Sequence, residues 1–225
     1  MKIDQLMEEL SKIPTYWSGK QCITEMKNSG DRKWREMYWH GWYFQFWCKE
    51  RLRSFVTIPS PITYRNGRVQ FDAFFHGELD FKAHSGKTSP IPLNDMEAMW
   101  QSITQFNKIR FIIAFGKPVA DVGGNFRKWH KNLIGKTSAY EKERIKRGAK
   151  SRPRFKGFEL NSIELLEINK ESYKKTISFQ KGFRNANGKP RNEKLSIKYD
   201  DFDFVELVSF DKAKPKIVHS LDEFI

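Results

Sequence analysis

From Gln70 to His84 the chain alternates between two chemistries. One parity holds Phe71, Ala73, Phe75, Leu79, Phe81 and Ala83, and the other holds Gln70, Asp72, Phe74, Glu78, Asp80, Lys82 and His84. Period-two alternation predicts a half-buried strand on each side of a turn. A three-residue loop, Phe75-His76-Gly77, with Gly77 in the left-handed position, pairs Phe74 with Glu78 and Asp72 with Asp80. Asp72, Glu78, Asp80 and Lys82 then share one face. A two-residue His76-Gly77 loop pairs Asp72 with Phe81 and splits the carboxylates across the sheet. The three-residue loop is the expectation, because it leaves the other face wholly apolar.

Elsewhere the pattern turns helical. Ile3, Leu6, Met7 and Leu10 predict a short amphipathic helix from Met1 to about Lys12, ended by Pro14. Asp31 is a cap for a helix running to about Leu52 through Trp34, Met37, Trp39, Trp42, Phe44, Phe46, Trp47 and Cys48, aromatic round most of its surface and so buried on most sides. Residues 54–58 read as a strand closed by Pro59 and Pro61. After the hairpin, a helix capped at Asn94 with Glu97 three residues on carries Met96, Met99, Trp100, Ile103 and Phe106 at core spacing. The nearly continuous apolar run from Ile109 to Phe115 predicts a strand buried on both faces. Strands return at 158–168, 172–179, 195–199 and 202–210, and residues 221–225 form a short helix-like end.

Length and charge narrow the class. The 225 residues suffice for one domain with a real core, and 41 Lys+Arg against 27 Asp+Glu give a net charge of +14, which favours a polyanionic partner. The surplus is concentrated. Between Lys117 and Lys156 stand 13 Lys+Arg and three acids, with Arg127, Lys128, Lys131, Arg144, Lys146, Arg147, Lys150, Arg152 and Arg154 as candidate phosphate contacts. The segment 180–192 is rich in Arg, Asn and Gln, and Lys181, Arg184, Asn185, Asn187 and Arg191 are candidates to read base edges. Cys22 and Cys48 make no CxxC pair, which argues for a reducing compartment and against structural zinc. The most apolar run, Met37–Cys48, is too short to span a membrane, and no basic-then-apolar leader opens the chain. The expectation is a cytoplasmic, prokaryotic protein with no membrane contact.

Carboxylates set opposite one another on paired strands repel, and a hard divalent cation removes the penalty. Asp72, seven intervening residues, then Asp80-Phe81-Lys82 resembles the D…(D/E)-x-K signature of the PD-(D/E)XK nucleases, the superfamily that includes most type II restriction endonucleases. Phe71 stands where the family name has proline, and Asp80 stands where glutamate is commoner. The order of elements, helix, acidic hairpin, helix, buried strand, is similar to that of the family core.

The resemblance implies an α/β (α+β mixed) fold with a restriction-endonuclease-like core, a central mixed β-sheet flanked by helices, and a C-terminal β-rich part contacting DNA. It divides a single domain, 1–225, into a catalytic core at 31–116, a basic DNA-binding segment at 117–157 and a β-rich region at 158–225. It implies a type II, sequence-specific endonuclease acting on double-stranded DNA as a homodimer and leaving 5′-phosphate ends. Asp72, Asp80 and Lys82 are then catalytic. Asp72, Asp80 and the backbone carbonyl of Phe81 hold Mg2+, with Glu36 and Glu78 as further candidate ligands, and Lys82 orients or activates the attacking water. Two other classes fit the same residues: a basic, non-catalytic nucleic-acid-binding protein, and a structure-specific nuclease of repair or phage DNA processing.

Overall fold

In the computed structural model the described residues are 2–59, 71–88, 90–137, 139–150, 154–179, 181–182, 190, 192–210 and 216–217. Helix α1 is Lys2–Ser11, strand β1 Tyr16–Ser18, α2 Gly19–Asn28 and α3 Trp39–Arg51; then follow β2 Ala73–Phe74, β3 Glu78–Ser85, β4 Ile91–Asp95 and α4 Met96–Phe106. Strand β5 is Lys108–Ala120, α5 Asn125–Ile134, α6 Ala139–Lys146 and β6 Phe155–Asn169, followed by β7 Ile177–Phe179, β8 Lys194–Ile197, β9 Phe204–Ser209 and β10 Lys216–Ile217.

Seven strands form one mixed sheet in the order β10-β9-β6-β5-β3-β2, with β1 paired to β6 beside that path. Strands β3 and β5 are parallel, joined by a crossover through β4 and α4, and the remaining pairs are antiparallel. A second sheet, β4-β8-β7, is small. Each face of the large sheet carries a core. Helices α1 to α3 cover one, where Phe44, Trp17 and Phe158 stack against Leu79, Phe81 and Ile112; α4 and the small sheet cover the other, over Ile109, Phe111, Ile113 and Phe115. Ile109 to Phe115 is therefore buried on both sides, as a continuous apolar run requires. Trp17, Trp34, Trp39 and Trp47 are core residues.

The hairpin takes the three-residue register: Phe74 pairs with Glu78 and Ala73 with Leu79. The left-handed residue of its loop is His76, at φ 47°, while Gly77 adopts φ 129°. The buried Arg110 guanidinium donates to the carbonyls of Phe75 and His76, clamping the turn onto β5.

Five sequence expectations are corrected. The strand expected at 172–179 is reduced to Ile177–Phe179, because Ser172–Lys175 winds into a 3-10 turn. The helix expected from Asp31 to Leu52 is broken: Arg32–Arg35 forms a 3-10 turn capped by the Asp31 carboxylate, and α3 begins only at Trp39. Residues 54–58 form no strand; Thr57 alone bridges Phe74. Asn94 is not a cap but a residue of β4, and α4 begins after Asp95. Phe71 leaves the parity of Ala73 and joins the opposite core, because regular pairing of β2 starts only at Ala73. The end segment 221–225 lies outside the described residues. Among the described residues no helix is long and apolar enough to cross a membrane.

Candidate active site

Continuing the hairpin register sets Asp72 against Asp80 at the edge of the large sheet. Among the described residues β2 pairs with β3 over only two residues, Ala73 and Phe74, and the N–H of Phe81 lies beyond that pairing. It donates to the Asp72 carboxylate, 3.0 Å away. The N–H and C=O of one strand residue point to the same side, so the Phe81 carbonyl faces this same side. The backbone fixes Asp72, and Asp72 supplies the acceptor that a ladder partner would.

Each aspartate meets a lysine from a different direction. On the α3 side, Lys49 Nζ lies 2.9 Å from Asp72 Oδ1, and the Gln45 amide donates to the same oxygen. Gln45 and Lys49 are four residues apart, so one helix face delivers both. On the α4 side, Lys82 Nζ lies 2.7 Å from Asp80 Oδ2 and donates to Asn94 Oδ1 at 2.8 Å, over the ring of Phe111. The pairing of Asp80 with Phe111 and Lys82 with Ile113 sets these side chains on the face covered by α4.

Both aspartates are buried, at 4% and 5% exposure. Burial and the neighbouring charge of Asp80 hold the Asp72 carboxyl well above the ordinary carboxylate range, against the pull of Lys49. Burial also acts to raise Asp80, but the charge of Lys82, with hydrogen bonding from Asp72 and Lys82, outweighs it and draws that carboxyl below the ordinary range. Two neighbouring buried carboxyls are thus pushed in opposite directions, Asp72 toward its neutral form and Asp80 toward its charged form. A donor set of two carboxylates and one carbonyl suits magnesium, which completes its shell with water.

Glu78 lies one strand-step before Asp80 on the same face, is 6% exposed and is hydrogen-bonded with Ser102 on α4. Glu36 is exposed, before α3 begins, nine residues from Gln45. Neither joins the pair: among the described residues no three His, Cys, Asp or Glu side chains come together as a cation-holding group. Gln45, Lys49 and Asn94 are the site residues that sequence reasoning missed. The four-residue spacing of Gln45 and Lys49 within an aromatic helix was a legible signal; Asn94 gave none, being taken for a cap.

The basic segment divides. Strand β5 takes its first residues, α5 and α6 take Arg127, Lys128, Lys131, Lys142, Arg144 and Lys146, and Lys156 falls in β6. Arg127, Lys131 and Arg144 converge on Glu141, at 3.6 Å from Arg127 and 2.8 Å from Arg144. Arg147 faces Glu143, Arg154 is half-buried beside Arg127, and Lys128, Lys146 and Lys150 are exposed. These helices sit at the start of α3, where Trp39 donates to the Phe155 carbonyl and packs on Phe126. Lys49 is ten residues further along α3, on the order of 15 Å away at 1.5 Å per residue. Arg152, Arg184, Asn185, Asn187 and Arg191 lie outside the described residues, and Lys181 is exposed. The root of the 180–193 segment is nonetheless fixed: Asn192 donates to Asp95, the Met96 N–H donates to the Glu193 carbonyl, and Lys194 pairs with Asp95 in the small sheet. That root adjoins Asn94, the partner of Lys82.

Set against known proteins, the chain matches no protein family, no curated protein and no solved structure.

Proposed function

We propose that this protein is a magnesium-dependent, sequence-specific endonuclease of double-stranded DNA with a restriction-endonuclease-like core. The observation that carries the reading is the meeting of two buried aspartates at the end of the β2–β3 pairing, Asp72 held by the Phe81 N–H and Asp80 paired with the Lys82 ammonium. Asp72, Asp80 and the Phe81 carbonyl would hold the metal, and a bound magnesium ion would neutralise charge on the scissile phosphate. Lys82, steadied by Asn94, orients a water toward the phosphorus, and hydrolysis leaves a 5′-phosphate and a 3′-hydroxyl. Gln45 and the Phe81 N–H hold Asp72 in place through the reaction.

Two features support DNA as the substrate. Helix α5, which carries Arg127, Lys128 and Lys131, packs its Phe126 on Trp39 at the first turn of α3, and Lys49, the partner of Asp72, lies on the order of 15 Å further along that helix, a rise that a duplex spans in roughly four to five base pairs at 3.4 Å each. The Arg- and Asn-rich 180–193 segment springs from a root next to Asn94, so base readout and hydrolysis would be neighbours. Cutting both strands of a symmetric site would take two copies of the chain.

One observation favours a second reading. Each aspartate already has a lysine partner and almost no exposure, as in a buried polar cluster that serves only the fold of a non-catalytic nucleic-acid-binding protein. Incubation of the purified protein with a long phage DNA and magnesium separates the readings. Discrete bands support the sequence-specific enzyme, a smear supports a structure-guided nuclease of the same superfamily, and intact DNA under conditions of tight binding supports the non-catalytic protein.

A further inference from the structure

Helix α4 does not bury the face that its periodicity predicts. Ala98, Met99, Ser102 and Ile103 are buried, while Met96 and Trp100 are 40% and 45% exposed. An indole left this open on a helix whose neighbours are packed is unusual, since burying it would be worth more than burying almost any other side chain. It forms one wall of a cleft of about 540 Å³, between α4 and the 3-10 turn Ser172–Lys175, lined by Met96, Trp100, Lys170, Tyr173, Lys174 and Leu195 among others.

The chemistry of the cleft is one-sided. Trp100 and Tyr173 stand 5.3 Å apart at 52°, so the two rings form a corner, not a closed stack, and the indole keeps a face for a planar ligand. Lys170 and Lys174 are exposed on the rim, and among the described residues no acid is part of the lining; Glu193 accepts from the Ser178 hydroxyl at the cleft's end, and the Thr176 hydroxyl donates to the Tyr173 carbonyl. Flat aromatic surface beside paired ammonium groups is the combination that takes an unpaired nucleobase and its phosphates. The position of the cleft is as telling as its lining. Met96 lies two residues beyond Asn94, the Tyr173 hydroxyl donates to the Met96 carbonyl at 3.5 Å, and the Met96 N–H donates to Glu193 at the root of the 180–193 segment.

We propose that this cleft is a stacking site for one unpaired nucleotide beside the scissile phosphate: its base lies on Trp100 and its phosphates meet Lys170 and Lys174. The proposal rests on the nucleic-acid reading above and adds a substrate feature to it, a nucleotide held out of the duplex stack or supplied by an overhang.

The test measures binding of a labelled oligothymidylate of ten nucleotides, and of a blunt duplex of equal length, to the full chain in EDTA over a series of salt concentrations. Trp100→Ala lowers affinity for the single strand about tenfold, the lower part of the range for one base stacked on an aromatic ring, with the salt slope and the duplex affinity unchanged. Trp100→Phe retains most of it. Lys170→Ala combined with Lys174→Ala lowers the single-strand salt slope by about 1.4, two phosphates at about 0.7 each. Single-strand affinity that is indifferent to Trp100→Ala overturns the proposal, as does an equal loss on both probes. So does wild-type self-association that Trp100→Ala abolishes, because a second copy would then cover the cleft. If Trp100 governs single-strand binding and the wild type never cuts DNA with magnesium, the catalytic reading fails and this one stands; if the wild type cuts and Trp100 is silent, this one falls alone.

Discussion

Glu78→Gln isolates the energetic cost of the acidic hairpin. Glu78 is buried on β3 between Phe74 and Ile109, and its Oε2 has no hydrogen-bond partner among the described residues. Burial pushes its pKa from 4.5 up to about 7, although the hydrogen bond with Ser102 opposes the rise. Between pH 4.5 and 7 the folded protein therefore keeps a proton that the unfolded chain releases, and stability falls as pH rises through that window. The difference of 7 − 4.5 at about 1.36 kcal/mol per pH unit amounts to about 3 kcal/mol. Glutamine keeps the shape and a partner for Ser102 without the charge. In urea denaturation the variant should match the wild type near pH 4 and exceed it by about 3 kcal/mol at pH 8. His40 works in the opposite sense. It stacks on Phe158 at 5.1 Å, and burial first, then His84, lower its pKa from 6.5 to about 4. Its contribution is present above pH 6.5 and lost as pH falls toward 4, so the two groups offset one another in the wild type and only the single variants unmask them. A Glu78→Gln advantage that stays constant from pH 4 to pH 8 would refute the reasoning.

Two further changes probe the frame and the site. Asn94→Leu removes the acceptor that steadies Lys82; cleavage turnover should fall by about tenfold to a hundredfold with substrate affinity retained, read by single-turnover kinetics beside an equilibrium binding curve. Gly116→Ala sets a Cβ 2.3 Å from the Glu159 carbonyl oxygen and 2.4 Å from the Phe158 ring at the β5–β6 irregularity, so it should destabilise the fold by about 3 kcal/mol or more, visible as a lowered midpoint in thermal unfolding.

How much of this was written in the sequence depends on what kind of force acted at each place. The hairpin register and the two-sided burial of Ile109–Phe115 follow from side-chain parity alone, which a strand cannot evade without moving its whole apolar set to the wrong face. Parity brought Asp72 near Asp80 but did not show its surroundings: regular pairing starts at Ala73, and Asp72 meets Lys49 and Gln45 of α3 while Asp80 meets Lys82 on the α4 side. The partners of the pair were not legible. Asn94 arrives on β4, and Pro92 in that run argues against a strand until Ser196 of β8 is seen opposite it. The outward turn of Trp100 was hidden because a helical period shows which positions are apolar, not which of them the core has room to cover. The segment after Arg51 reads as a strand from its β-branched residues, but only Thr57 finds an edge to join, the bridge to Phe74. Charge counting located the basic region, and the distance separating α5 from the partner of Asp72 is a product of how α3 runs.

In the proposed function Lys82 and the two aspartates perform hydrolysis and are not a fold-stabilising cluster. The most direct test is Lys82→Ala assayed side by side for magnesium-dependent cutting of phage DNA and for binding of the same DNA without magnesium. Cutting should fall at least about a hundredfold, with binding affinity within about twofold of the wild type. Cutting that persists in the variant, or binding and cutting lost together in a protein that still folds, would contradict that role.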